Sequence, residues 1–336
     1  MTYSQPRSLT PLRNPLLGDE DERGRSGGVQ HFIVGRLNLG ALGVIREFDP
    51  WKSPLCTCPR KYSLHPYTGC SHSCLYCYAT SYIRARDSKP KEMFLQKLAR
   101  DLGKLEENSI VELSTSSDPY PPIEEKLGLT REALQLISRR NLKILITTKS
   151  SSLTRDADIL AKTKSAVMLT ITTLDEGLAR AIEPNAPSPA ERLDALRKLS
   201  RIGVPVGLRI DPIIPLVNED SYCLEDLIGR AKEAGALHVV TSTYKAKPDS
   251  LKRLSVALPD VYRKLEKLYV EKGKVFHGYF YLPVRLRRKL LQPVIDYALK
   301  YNLTIATCRE GLRTNFPQAP SCDGSHLTLL RSNIAS

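Results

Sequence analysis

From about residue 60 the chain alternates short apolar runs with segments of helical period. "IVELSTSS" (110–117), "LKILITTK" (142–149) and "AVMLTITT" (166–173) are apolar and rich in β-branched residues, as strands are. "KYSLHPY" (61–67) opens the series; "VPVGLRIDPII" (204–214) and "LHVVTST" (237–243) continue it. Helices are predicted near Lys91, over 129–140 with Thr130 as N-cap, over 153–164, and near 221–234. The segment 188–203 has Ser188 as cap, Pro189 in the first turn and Gly203 at the end. Six strands separated by helices predict a parallel sheet with right-handed crossovers. An open doubly wound sheet and an incomplete barrel both satisfy that pattern.

After about residue 245 the pattern changes. A helix is expected over 258–273, then a short strand, a very basic turn and a helix within 277–302, then a strand over 303–311 and loop over 315–326. The opening 28 residues are rich in Pro, Gly, Ser and charge and read as a flexible arm. The expected division is an arm over 1–44, an α/β domain over 45–245 and a C-terminal cap over 246–336. No apolar run approaches the roughly 18–20 residues of a membrane span, and the N-terminus has no signal-peptide character. No membrane partner is expected, and a cytoplasmic location is.

The net charge of +14 is uneven. From Lys245 onward there are 17 Lys and Arg against 7 Asp and Glu. This bias points to a polyanion such as tRNA or DNA, against the blander reading of a solvated surface. "GYFYLPVRLRRK" (278–289) sets aromatics beside Arg285, Arg287, Arg288 and Lys289, a pairing that suits base stacking and phosphate contact. A core strand followed by an amphipathic helix is the competing reading.

Candidate chemistry centres on "GCSHSCLYCYATSY" (69–82), where Cys70, Cys74 and Cys77 are spaced C-x3-C-x2-C on a loop after the first strand. Parallel α/β folds carry their chemistry on that rim. A structural zinc site needs four ligands, and His72 is awkwardly placed to be the fourth. Three cysteines on an iron–sulfur cluster leave one iron open to another ligand.

"CSHSCLYC", with Tyr76 just before the last cysteine, resembles the radical S-adenosylmethionine (radical SAM) superfamily. "STSSDPYPPIE" (114–124), "ITTKS" (146–150), the stretch 169–196 and "GVPVGLRIDPIIP" (203–215) resemble its spore photoproduct lyase-like branch. The resemblance implies an incomplete (β/α)6 TIM-like barrel with a basic C-terminal cap. It implies a [4Fe–4S] cluster on Cys70, Cys74 and Cys77 with S-adenosylmethionine on the open iron, and an electron donor such as ferredoxin or flavodoxin. Reductive cleavage would give a 5′-deoxyadenosyl radical that abstracts hydrogen from a substrate. It implies Ser117 and Asp118 near the methionyl amino end, Lys149 near the methionyl carboxylate and Thr170 near the ribose. Arg209 and Asp211, read as pointing to opposite faces, are further lining candidates. True spore photoproduct lyases place a hydrogen-donor cysteine where this chain has Thr115, so thymine-dimer repair is not expected. Tyr78 is a candidate redox-active side chain, with ordinary packing as its alternative.

Cys56 and Cys58 before the triplet, with Cys308 and Cys322 near the end, make one four-thiol set for zinc or a second cluster. Disulfides, in a hyperthermophile, or unconnected thiols are the alternatives. Cys223 reads as buried packing. Two rival functions stand beside a radical enzyme acting on nucleic acid: a non-catalytic, metal-stabilised nucleic-acid-binding protein, and a radical enzyme acting on a protein or small molecule.

Overall fold

The computed structural model describes residues 42–48, 55–83, 86–113, 115–312 and 319–331. The expected arm therefore lies outside the described residues, apart from its last three positions. The strands are β1 (Ile45–Glu47), β2 (Tyr62–Leu64), β3 (Tyr67–Thr68), β4 (Lys89–Pro90), β5 (Ile110–Leu113) and β6 (Lys143–Thr148). They continue with β7 (Lys164–Thr170), β8 (Val206–Ile213), β9 (Ala236–Thr243), β10 (Lys274–Phe276), β11 (Tyr279–Tyr281) and β12 (Thr304–Thr307). Among the described residues, eight strands form one sheet in the order β1-β2-β5-β6-β7-β8-β9-β12. Every neighbouring pair is parallel except β1 with β2. The six expected strands are all present, β12 extends the parallel series, and β1 is an antiparallel edge with no signal in its three residues.

Among the described residues β1 and β12 are the two ends of the sheet and do not pair with each other. Alternation sorts its side chains. Ile144, Ile146, Val167, Leu169, Leu208 and Val239 face the helical layer and form the main core. The other parity points inward. Leu145, Ala166, Met168 and Val240 meet there, and Leu327 from the terminal turn Ser325–Arg331 joins them. This is a packed floor. A Cβ on Gly207 would lie 2.5 Å from Met168 Sδ, so any side chain there would have to displace that thioether.

The helix Pro189–Arg201 starts as expected: Ser188 and Glu191 form a capping box with Pro at the first turn. Thr130 is not a cap. Gly128, at φ +62°, holds the N-cap position, and buried Thr130 donates its hydroxyl to the Pro119 carbonyl. The expected helix over 153–164 is a 3-10 turn, Ser152–Asp156, followed by Ala157–Leu160.

The C-terminal segment is built of several elements. Helices Pro248–Ala257 and Pro259–Lys272 and the β10–β11 hairpin follow β9. The basic stretch expected as a turn is the start of helix Val284–Lys300, which packs on helix Ser221–Glu233 and extends the outer layer. The terminal turn closes the floor. Apolar Ile305 and Ala306 draw β12 onto β9, and that pairing pulls the chain end inward.

Candidate active site

The loop after β3 carries the three cysteines across one cavity of about 470 Å³. Tight turns shape it: Ser73 N donates to Cys70 O (3.3 Å) and Cys77 N to Cys74 O (3.2 Å). Ser73 sits at φ +53°. The rest of its order is borrowed from elsewhere in the chain. Leu75 N donates to Ile182 O (2.8 Å), and Asn185 Nδ2 donates to Ser71 O (2.8 Å). Arg253, on helix Pro248–Ala257, donates to both Cys74 O and Cys77 O at 2.7 Å, and to Thr80 Oγ1 at 2.7 Å. Tyr76 donates its hydroxyl to buried Glu183, which is paired to buried Arg192 at 2.5 Å and accepts from Thr172 Oγ1 at 3.0 Å. The three cysteines are free thiols. Burial pushes Cys70 up to about 11 and Cys74 higher still, so without a cation both hold their protons.

The strand ends bring the expected polar residues to the same cavity: Ser117, Asp118, Lys149, Thr170, Arg209 and Asp211 all line it. Asp118 is a bracket. It accepts from Thr148 Oγ1 (2.6 Å), Tyr120 N (2.9 Å) and Lys149 N (2.8 Å), and faces His72 Nδ1 at 3.3 Å. Burial alone would raise its pKa; His72 and the donated hydrogen bonds overcome that and hold it at about 2. Lys149 Nζ lies 5.4 Å from the Tyr76 ring centroid. Burial disfavours its charge, but Cys74 and Glu183 more than offset this, and its pKa rises. Thr170 is buried, with its carbonyl taken by Arg192. Arg209 and Asp211 are two apart on β8, so they share a face and pair at 2.5 Å. The expectation of opposite faces is corrected by that register.

Tyr78 packs edge-on to Tyr279 at 5.9 Å, and the Arg309 guanidinium lies 5.1 Å from its ring centroid. Burial raises its pKa well above that of a free tyrosine, against the pull of Arg309. Lys247 Nζ lies 4.3 Å from the Tyr279 ring centroid. Cys56, Cys58, Cys308 and Cys322 line this same cavity. Below them, Lys61 Nζ pairs with Glu112 and Asp323, each at 2.5 Å. Thr115 also lines the cavity, its hydroxyl 2.9 Å from His65 Nε2.

The geometry places a three-thiol loop and a ring of strand-end polar groups around one cavity at the carboxyl ends of a parallel sheet. The radical SAM superfamily model matches residues 64–239, more than half of the chain. The chain belongs to the radical SAM superfamily.

An uncharacterised protein of Methanocaldococcus jannaschii is 35% identical over 200 residues, 56% of this chain and 70% of its own. A radical SAM Nα-GlyT isomerase of Pseudomonas phage M6 is 23% identical over 258 residues, covering 73% of this chain and 53% of the phage protein. A spore photoproduct lyase complexed with a dinucleoside spore photoproduct superposes with a TM-score of 0.60 at 16% identity, over 79% of each chain. At that identity the likeness is one of fold.

Radical SAM membership implies a [4Fe–4S] cluster and S-adenosylmethionine, and the donor set fits them. Three thiols stand on one loop, and His72, the nearest candidate for a fourth ligand, is turned to Asp118. Among the described residues no three ligating side chains encircle one point.

Four residues had no sequence signal. Glu183, Arg192 and Arg253 support the loop from distant helices. Glu310 is a buried hub that accepts from Thr243 N (2.7 Å), Lys245 Nζ (3.0 Å) and Arg287 Nη1 (3.0 Å). Arg287 is therefore buried and paired, which corrects its place among the solvent-facing cations. Arg285, Arg288 and Lys289 are exposed and line a second cavity of about 620 Å³ beside Tyr297. Cys223 is exposed, not packed in the core. No described helix is long and apolar enough to cross a membrane.

Proposed function

We propose that this radical SAM enzyme acts on a nucleic acid, modifying or repairing it by hydrogen abstraction. One observation carries the reading of the site: Cys70, Cys74 and Cys77 share a cavity with Lys149 and the strand-end residues Ser117, Asp118 and Thr170. A [4Fe–4S] cluster with S-adenosylmethionine, when bound, supplies one-electron cleavage chemistry. In this reading the three thiols hold the cluster. Lys149 offers its ammonium to the methionyl carboxylate. Ser117 faces the methionyl amino end, and Thr170 the ribose. Asp118 has its oxygens committed to Thr148, Tyr120 and Lys149, so it positions the wall that carries Ser117 and Lys149. The Arg209–Asp211 pair braces the inner face, and Tyr78 with Arg309 forms the outer wall. A reductant such as ferredoxin or flavodoxin supplies the electron. The thiols of Cys56, Cys58, Cys308 and Cys322 hold a second metal.

The substrate class rests on charge: +14 overall, with exposed Arg285, Arg288 and Lys289 grouped on one helix. The test incubates the reduced enzyme and S-adenosylmethionine with duplex DNA, tRNA and a peptide pool in parallel. The reading predicts that one nucleic acid raises 5′-deoxyadenosine formation and gains a nucleoside of new mass. Stimulation by the peptides alone would transfer the enzyme to the protein-modifying reading.

A further inference from the structure

The four thiols outside the triplet are gathered. Cys58 Sγ lies 3.4 Å from Cys322 Sγ. Cys56 and Cys308 line the same cavity as this pair. All four are free thiols, although a bonded pair of sulfurs would be only about 2.05 Å apart.

Spacing separates the metal types. Four sulfurs bound tetrahedrally at about 2.3 Å from one zinc ion lie about 3.8 Å apart, which is thiol contact distance. A four-iron cube gives each thiolate its own iron and spreads the sulfurs well beyond contact. The 3.4 Å spacing matches the single ion. A tetrathiolate zinc carries net negative charge, and the cations Lys61 and Arg309 line the same cavity, with Lys61 also shared by Glu112 and Asp323. The thiols do not yet surround one point, so closure needs the outer pair, Cys56 and Cys308, to turn inward.

Resting on the reading of these four thiols as a metal site, we infer that Cys56, Cys58, Cys308 and Cys322 bind one zinc ion that joins the two margins of the open sheet. Cys56 and Cys58 lead into β2, beside the β1 edge. Cys308 directly follows β12, the opposite edge. Cys322 leads into the terminal turn that closes the floor. The ion takes the place of the hydrogen bonds that a closed barrel would make across that gap, and it forms part of the cavity wall.

The experiment uses the full chain with Cys70→Ala, Cys74→Ala and Cys77→Ala together, purified anaerobically with zinc supplied. About one zinc per chain is expected, in this variant and in wild type alike. Adding Cys58→Ser and Cys322→Ser should remove it. Cobalt(II) added to the zinc-free triple variant, which keeps only these four clustered thiols, should give an intense thiolate-to-cobalt absorption band. The inference is overturned by about four irons with sulfide in the triple variant, by a Cys58–Cys322 disulfide in the non-reduced peptide map, or by no cobalt band. None of these results touches the triplet, so the radical SAM reading stands or falls separately.

Discussion

Arg253 is the test of how the cysteine loop is held. Its guanidinium reaches from helix Pro248–Ala257 to the carbonyls of Cys74 and Cys77, both at 2.7 Å, and to Thr80 Oγ1. Hydrogen bonds from a charged donor contribute about 1.5–3 kcal/mol each, so the two carbonyl contacts together supply about 3–6 kcal/mol. The side chain is 15% exposed and the contacts are not independent, which favours the lower end, about 3 kcal/mol. Arg253→Met keeps the apolar stem and removes the donors. The freed Asp249 is 41% exposed, so no buried charge is stranded and the loss stays in the loop. A change of about 3 kcal/mol corresponds to roughly 100-fold more frequent loop opening. Amide hydrogen exchange over residues 74–82 reads this directly in the metal-free chain, and iron retained after limiting reconstitution reads its consequence. Protection and iron content within twofold of wild type would refute the reasoning.

Further outcomes are expected. Arg192→Met leaves buried Glu183 without its ion-pair partner and should cost about 3–5 kcal/mol in urea unfolding; an unchanged midpoint would contradict the network. Asp118 has a folded pKa of about 2, below its ordinary value, so its stabilisation is present above the ordinary carboxylate range and is lost as pH falls toward 2. Asp118→Asn should therefore lower neutral-pH stability by about 2 kcal/mol and flatten the acid limb of the stability profile between about pH 4 and 2. An acid limb as steep as wild type would remove Asp118 from the account. Replacing Arg285, Arg288 and Lys289 with Gln should reduce the salt slope of nucleic-acid binding by about 2–3. An unchanged slope would place the binding face elsewhere.

Local signals made much of this legible. The alternation of apolar runs with helical periods marked six strands, β2 and β5 to β9, because each is largely buried and reads as a short continuous run. Ser188, Pro189 and Glu191 marked a helix start that needs only neighbouring residues. The cysteine spacing marked the loop. What stayed hidden depends on distance along the chain. Glu183, at the end of helix Glu176–Ile182, gains meaning only when it meets Tyr76, and Arg192, on helix Pro189–Arg201, only when it pairs with Glu183. Glu310 falls near the end of the expected strand over 303–311, and becomes a hub only when β12 joins β9. Arg287 sits in a run of cations, and only its place on the inward side of helix Val284–Lys300 separates it from Arg285 and Arg288. The loop expected over 315–326 carries no local sign that Leu327, just beyond it, reaches the floor beside Met168.

The central claim is that Cys70, Cys74 and Cys77 support S-adenosylmethionine cleavage. The direct measurement compares wild type with the Cys70→Ala, Cys74→Ala, Cys77→Ala variant after anaerobic reconstitution with iron and sulfide. Each is reduced, given S-adenosylmethionine and assayed for 5′-deoxyadenosine and iron per chain. The account predicts 5′-deoxyadenosine with about four irons in wild type, and neither in the variant. Equal 5′-deoxyadenosine from both proteins would contradict it.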